Sequence, residues 1–353
     1  MVESNWICNS IRLVQSVVNK EYLPTKLTVL ISISILLLAC DAPGITSAQM
    51  QRFEPKPSWI KVRPPGGPIF NRISSLLRER NLHTVCEEAR CPNIAECWGG
   101  GTATLMLMGD VCTRGCRFCA VLSGSPRGVL DLSEPHKAAE TVELMKLDYV
   151  VLTSVNRDDL PDGGASHFAK TIEIIHARTP QVLIEALIPD FKGDTYALKK
   201  VIQAKPEVLA HNLETVKRLT HKVRDTRATY QQSLYVLEEI KQQKPNQWTK
   251  SSMMLGLGET LDDLLQAFKD LKSAGVDFLT LGQYLQPSQK HLKVVEFISP
   301  HRFEELREKA LEYGFKYVAA GPLVRSSYRA GEFYIASMVK NTNHSLPTLH
   351  SHA

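Results

Sequence analysis

The sequence predicts an α/β protein built from repeated β/α units, an incomplete or complete barrel. Three observations lead there. From residue 102 onward, short apolar runs alternate with amphipathic segments through six repeats, the pattern of parallel strands joined by helical crossovers. The chain has 353 residues, 43% hydrophobic and 22% charged, with 20 Gly and 19 Pro. That is enough to bury a core without disulfide or metal support, and unlike a disordered or collagen-like chain. A dense group of cysteines also begins directly after the first apolar run, where a barrel keeps its chemistry, at the C-terminal ends of its strands.

The strands follow in order. TATLMLM at 102–108, YVVLTS at 149–154 and VLIEALI at 182–188 are apolar, partly β-branched runs of strand length. VLA at 208–210, SMML at 252–255, FLTL at 278–281 and YVA at 317–319 complete the set. Helices are predicted between them, over 135–146, 165–177, 196–203, 230–243, 261–273 and 300–313, from apolar residues at helical spacing. Thr260 followed by Asp263 has the pattern of a capping box at the start of one of them.

Five zones divide the chain. Residues 1–49 are an atypical extension with an apolar run at 27–39, too short to span a bilayer but as long as a signal-peptide core. Leu37-Leu38-Ala39-Cys40 resembles a lipoprotein cleavage box. Residues 50–100 are rich in Pro, Gly, Cys and charge and read as loops around a site, with one amphipathic stretch at 71–80. The barrel occupies 101–300, a C-terminal region with an Arg-Ser-Ser-Tyr run occupies 301–340, and 341–353 reads as a disordered tail. The 42 Lys and Arg against 37 Asp and Glu give +5, spread along the chain, which argues against nucleic acid as main partner.

Six of the eight cysteines, Cys86, Cys91, Cys97, Cys112, Cys116 and Cys119, lie close together, and only Cys8 and Cys40 lie elsewhere. Disulfides among the six would close only short loops in a chain that needs no staples. Cys112-x3-Cys116-x2-Cys119 follows the first strand, and three such thiolates hold three irons of a four-iron cluster, leaving the fourth open to a substrate. Zinc is the plainer alternative, because Cys116-x2-Cys119 would make half a zinc ribbon. The companion pair is missing, however, and His83 and His136 lie outside both triads.

The run CTRGCRFC, with Phe118 before its last cysteine, resembles the signature of radical S-adenosylmethionine enzymes. The resemblance implies a partial (β/α)6 TIM-like barrel of that type. It also implies a [4Fe-4S] cluster on Cys112, Cys116 and Cys119, whose open iron chelates S-adenosylmethionine and drives its cleavage to a 5′-deoxyadenosyl radical. The triad that comes first in the chain, Cys86-x4-Cys91-x5-Cys97 in CEEARCPNIAECW, together with Arg325-Ser326-Ser327-Tyr328, is similar to the lipoyl synthase family. The similarity runs from about Phe53 to about Glu332 through KPSWIKVRPP, TSVNRDDLPDGGA, HNLETV, SSMMLGLGE and GQYLQPS in order.

That second resemblance implies an auxiliary [4Fe-4S] cluster held by Cys86, Cys91, Cys97 and Ser326, which donates its sulfides. An oxygen ligand is unusual on such iron, and a weaker ligand suits a cluster that is taken apart. The implied reaction of this sulfurtransferase inserts two sulfur atoms at C6 and C8 of an octanoyl chain carried on a lysine. The carriers implied are lipoyl domains of 2-oxoacid dehydrogenase E2 subunits and the glycine cleavage H protein. A low-potential electron donor such as ferredoxin or flavodoxin and an iron-sulfur carrier are implied as well. No side chain is expected to act as acid or base, since the C–H bonds are unactivated and the cofactor does that step. Relatives usually read RSSYHA, and Arg329 stands here in place of the His, leaving the cluster ligand untouched.

Further positions are expected around the cofactor. Thr153 and Ser154 end the second strand and would reach its methionyl part; Asn212 and Glu214 follow the fourth and would meet its amino group or ribose. Gly256 and Gly258 would admit the adenine. The plainer readings are turn capping, solvent exposure and chain reversal. Arg218, Arg224 and Arg325 are candidates for contacts with a protein substrate, with surface solvation as the default, and Asp158, Asp159 and Asp162 read as turn formers. Two rivals remain: another two-cluster radical enzyme such as a methylthiotransferase or a biotin-synthase-like sulfur inserter, whose families do not pair this triad with a C-terminal RSSY, and an exported metal-binding lipoprotein. Reduced clusters require a reducing compartment, so a cytoplasmic protein whose translation starts near Met50 is expected, or a membrane-tethered one if the 27–40 segment is used. A mitochondrial presequence fits poorly, because Glu3, Glu21 and Asp41 balance its basic residues.

Overall fold

The computed structural model describes residues 56–60, 66–80, 82–88, 91, 93–99 and 102–327. The apolar run at 27–39, Cys8, Cys40, Met50, Tyr328, Arg329 and the tail at 341–353 lie outside the described residues. Contacts divide the chain into Met1–Pro55 and Lys56–Ala353, and every described residue belongs to the second unit.

In chain order the elements are α1 (Pro68–Glu79), β1 (His83–Thr84), α2 (Val85–Glu88), α3 (Ile94–Gly99), β2 (Thr102–Leu107), β3 (Val111–Cys112) and β4 (Leu122–Ser123). There follow α4 (Glu134–Met145), β5 (Tyr149–Ser154), α5 (Ala165–Arg178), β6 (Leu183–Leu187), α6 (Thr195–Gln203), β7 (Val208–Ala210), α7 (Thr220–Val223) and α8 (Tyr230–Gln243). The chain then forms β8 (Trp248–Leu255), α9 (Leu261–Ser273), β9 (Phe278–Gln283), α10 (Pro300–Glu312) and β10 (Tyr317–Gly321). The main sheet has the order β1-β2-β5-β6-β7-β8-β9-β10. All its neighbours are parallel except β1, which runs antiparallel on β2. Consecutive parallel strands are therefore neighbours, with a helix in each crossover, and the sheet is open between β1 and β10: a partial barrel of six β/α units and a closing strand.

Local chemistry sets the helix starts. Thr260 Oγ1 accepts from Asp263 N at 3.2 Å while the Asp263 carboxylate accepts from Thr260 N at 2.9 Å, so the expected capping box forms at α9. Asp194, Thr229 and Ser299 cap α6, α8 and α10, each occupying backbone N–H groups that the first turn leaves unpaired.

Strand side chains alternate between two faces. One face meets the helices: Leu105, Leu107, Val150, Leu152, Ile184 and Ala186 pack with Val142, Phe168, Ile172 and Val201. Met253, Leu255, Leu279 and Leu281 pack with Leu264, Phe268 and Leu306. The other face lines the lumen, where Tyr149, Val151, Val208 and Phe278 form a separate cluster. Lys250 lies buried in the same lumen and reaches the Glu185 carboxylate at 2.8 and 3.0 Å, and Tyr149 Oη donates to that carboxylate at 2.8 Å. This pair explains why β8 begins at Trp248, four residues before the predicted 252–255: a lysine reads as a strand boundary until its partner, on another strand, is known.

Residues 66–99 are more helical than the loop-rich expectation. Helices α2 and α3 carry Cys86 and Cys97, and Phe70 of α1 stacks on Trp98 of α3 with ring centroids 5.1 Å apart. The turn after β10 bridges the open edge, with Thr104 Oγ1 donating to Ser327 Oγ at 2.9 Å and Asn93 Nδ2 to Leu323 O at 2.6 Å. Among the described residues no helix is long and apolar enough to cross a membrane.

Candidate functional site

The cysteine loop leaves β2 and strides across the barrel mouth. Thr113 N donates to Asn156 O after β5 at 2.9 Å, Gly115 N to Asp225 Oδ2 after β7 at 2.8 Å, and Arg117 N to Val223 O at 2.9 Å. On the far side His291 Nε2 pairs with Cys119 O at 2.9 Å. Arg114 clamps the loop from beneath. Its guanidinium, 2% exposed, bonds Asp158 through Nε at 2.9 Å and Asp190 through Nη2 at 2.7 Å. Burial opposes ionisation of both carboxyls, yet the Arg114 charge wins and holds both below the usual carboxylate range. Arg227 completes the frame, bonding Asp225, Asp158 and the Thr113 carbonyl.

Backbone amides aim at the sulfurs. Asn156 N lies 3.3 Å from Cys112 Sγ, and Asp225 N lies 3.3 Å from Cys116 Sγ. Burial pushes the Cys119 thiol up to about 12, with Cys116, Cys112 and Glu214 adding to the rise, so all three sulfurs and one carboxylate share one electrostatic neighbourhood. Burial raises Cys116 as well, and raised thiols of this kind give up their protons to a bound cation such as iron. Among the described residues no three His, Cys, Asp or Glu side chains close on a single ion. A four-iron cluster asks for something else, one thiolate for each of three irons, and this donor set fits it.

The first triad lies at the open side of the sheet, near β1 and the turn after β10. Cys91 N donates to Cys86 O at 2.8 Å and Cys97 N to Asn93 O at 2.9 Å. Burial first, and Cys91 second, push the Cys86 thiol up to about 12, while the Thr104 hydroxyl opposes the rise. Arg325 faces Cys91 electrostatically. Thr104 therefore touches both Cys86 and Ser327, and Arg325 and Ser327, which face this triad, flank Ser326 in sequence.

The other expected residues divide. Thr153 and Ser154 are consecutive strand residues, so they point to opposite faces, and Thr153 shares the lumen face with Val151. Asn212 and Glu214 follow β7 at the mouth. Glu214 has φ +69, pairs through its backbone with Ser252 and Met254, and is hydrogen-bonded by Asn212. Enclosure raises its carboxyl, with Arg224 and Asn212 opposing. A left-handed glutamate is strained backbone held in place by its surroundings, a frequent mark of a ligand-binding position. Thr280 Oγ1 in the lumen is buried with no hydrogen-bond partner among the described residues. An orphaned hydroxyl and a poised carboxylate below the triad fit a polar cofactor such as S-adenosylmethionine.

Gly256 has a use besides the adenine approach: a Cβ there would lie 2.3 Å from Gln283 Nε2 and 2.3 Å from the Glu296 carbonyl, so protein atoms alone already call for a glycine. Gly258, at φ +100, is explained by its backbone conformation. Among the arginines, Arg218 is bound to Asp263 and Gly258 O, and Arg224 is buried, donating to Ser233 Oγ at 2.7 Å, so neither is a free contact for a substrate. Asp158 and Asp159 do occupy a turn, closed by Leu160 N donating to Arg157 O at 2.9 Å, and they also pair with Arg114 and Arg157; Asp162 forms the turn before α5. Sequence reasoning missed Arg114, Asp190, Asp225, Arg227 and His291, which no local pattern marks.

Comparison with known proteins identifies the family. The profile of the Radical SAM superfamily matches residues 106–271, and that of the N-terminal domain of lipoyl synthase of the Radical SAM family matches residues 46–91. The lipoyl synthase of Ectopseudomonas mendocina is 57% identical over 288 residues, covering 82% of this chain and 82% of its own. That of Myxococcus xanthus is 58% identical over 285 residues, covering 81% and 95%, and the mitochondrial lipoyl synthase of Aedes aegypti is 55% identical over 290 residues, covering 81% and 74%. Identity at this level over most of both chains, on a barrel with these two cysteine triads, means that the chain belongs to the lipoyl synthase family of radical S-adenosylmethionine enzymes.

Proposed function

We propose that this radical S-adenosylmethionine enzyme inserts two sulfur atoms at C6 and C8 of an octanoyl chain held on a lysine of a lipoyl carrier domain. The observation that carries the reading is Thr104, which touches Cys86 and donates to Ser327 Oγ. It ties the Arg-Ser-Ser turn to the first triad, while the second triad lies over the same barrel.

Cys112, Cys116 and Cys119 would hold one [4Fe-4S] cluster, and Cys86, Cys91, Cys97 and Ser326 the auxiliary one. When bound, the cluster on Cys112, Cys116 and Cys119 and S-adenosylmethionine would supply the hydrogen-abstracting chemistry that side chains lack. Asn212 and Glu214 hold the cofactor's amino group, Thr153 and Thr280 offer hydroxyls from the lumen, and the Arg114 clamp keeps the thiol loop in register. Apolar lumen residues such as Val151 and Phe278 exclude water from the reacting chain. Ser326 provides the weak oxygen ligand of the sulfide-donating cluster. The partners are octanoylated E2 subunits and H protein, a ferredoxin or flavodoxin as donor and an iron-sulfur carrier, in the cytoplasm.

The test is anaerobic. Reconstituted protein, dithionite, S-adenosylmethionine and an octanoyl-lysine peptide are expected to give the lipoyl peptide by mass. Cys97→Ala is expected to stop sulfur insertion while S-adenosylmethionine cleavage continues. If that variant still inserts sulfur, the division of labour between the triads is wrong.

A further inference from the structure

Three segments meet where the cysteine loop reaches the far side of the mouth. Arg117 donates from Nη1 to Lys222 O at 3.2 Å, Leu292 N donates to Arg117 O at 3.2 Å, and His291 pairs with Cys119 O at 2.9 Å. These contacts gather Arg117, His221, Lys222, Lys290 and Lys293 on one rim, all five exposed. Among the described residues none of the five pairs with a carboxylate. The acids of these segments are Asp225, already engaged by Arg227, and Glu296, beyond Lys293.

The unpaired charges of Arg117, Lys222, Lys290 and Lys293 repel one another, and a solvated surface gives no reason to gather them. A negatively charged partner does. The rim abuts the backbone of Cys119, and the chemistry at this site needs electrons delivered from outside. We infer that this basic rim is the docking surface for an acidic one-electron transfer protein. The inference rests on the reading of Cys112, Cys116 and Cys119 as cluster ligands. Complementary charge gives fast, weak, salt-sensitive encounters, which suit a partner that must leave after each transfer. One electron leaves the donor's flavin or iron centre, which is oxidised, and reduces the acceptor behind Cys119; no bond forms between the proteins.

The test uses the reconstituted full chain, an acidic flavodoxin as probe and the double variant Lys222→Glu with Lys293→Glu. Flavodoxin binding, read by fluorescence anisotropy, is expected to weaken about tenfold or more at low salt, and the difference is expected to vanish at high salt. Iron content and dithionite-driven cleavage of S-adenosylmethionine are expected to stay unchanged. Unchanged flavodoxin affinity overturns the inference, as does a loss of affinity for an octanoylated carrier domain instead. Unaltered protein that shows no dithionite-driven cleavage overturns the cluster reading itself, and the inference with it.

Discussion

Arg114 and Asp190, 76 residues apart in sequence, form a two-pronged buried ion pair in which both terminal nitrogens of the guanidinium meet both carboxylate oxygens. Asp158 takes the Nε edge. The guanidinium thus lies at the centre of the loop that carries Cys112 and Cys116. Replacing it by methionine leaves Asp190 buried and unpaired, an outcome worth about 3–5 kcal/mol of stability. Arg114→Lys is expected to rescue little, because an ammonium cannot serve two carboxylates with fixed geometry. Denaturant midpoints of the metal-free protein and iron per chain after reconstitution would both fall, and a variant normal in both measurements refutes the clamp.

The second contact of this kind is weaker and more selective. Thr104→Val removes the 2.9 Å bond to Ser327 at a cost of about 1 kcal/mol. The fold should survive, but the Arg-Ser-Ser turn loses its tie to the first triad. The expected result is iron content lower by up to one cluster with S-adenosylmethionine cleavage retained, and recovery in Thr104→Ser. Equal loss of both clusters would mean that Thr104 serves the fold generally and not this triad.

These two contacts mark the limit of what the sequence discloses. Strands such as 149–154 and helices such as 261–273 are legible because their periodicity is local, and the Thr260–Asp263 box stands within three residues of itself. The cysteine triads are legible for the same reason. Arg114 with Asp190, and Cys116 with the Asp225 amide 109 residues away, carry no local pattern, and chain topology alone brings them together. The protein-side cause of Gly256 is illegible in the sequence because a glycine looks the same whether a ligand or the Glu296 carbonyl fills the space beside it. Helices α2 and α3 were missed because single turns are too short to show a period.

The lumen pair offers a test of the barrel floor. Lys250 and Glu185 are 1% and 0% exposed, so removing one partner strands the other charge in a dry environment. Glu185→Gln or Lys250→Met alone should cost about 3–5 kcal/mol. The double variant Glu185→Leu with Lys250→Met should cost less than either single change, since no unpaired charge remains. Chemical denaturation of the three variants measures the coupling, and additive costs would show that the two groups do not depend on each other.

His211 ties stability to pH. Its Nδ1 lies 2.9 Å from the Ile188 carbonyl and its Nε2 2.9 Å from Ser233 Oγ, which also accepts from Arg224 Nη1 at 2.7 Å. The carbonyl must accept, so Nδ1 carries the proton. Ser233 then accepts from Arg224 and donates to Nε2, and this wiring holds only for a neutral ring. Burial first and the Arg224 charge second depress the His211 pKa from 6.5 to about 4. Between these values the unfolded chain binds a proton that the folded chain refuses, so stability falls as pH drops from about 6.5 to about 4 and this contribution levels off below. The full loss is about 3 kcal/mol. Denaturant titrations at pH 7.5 and pH 5 are expected to differ in the native protein and to converge in His211→Gln; a difference that persists undiminished in the variant assigns the pH dependence to other groups.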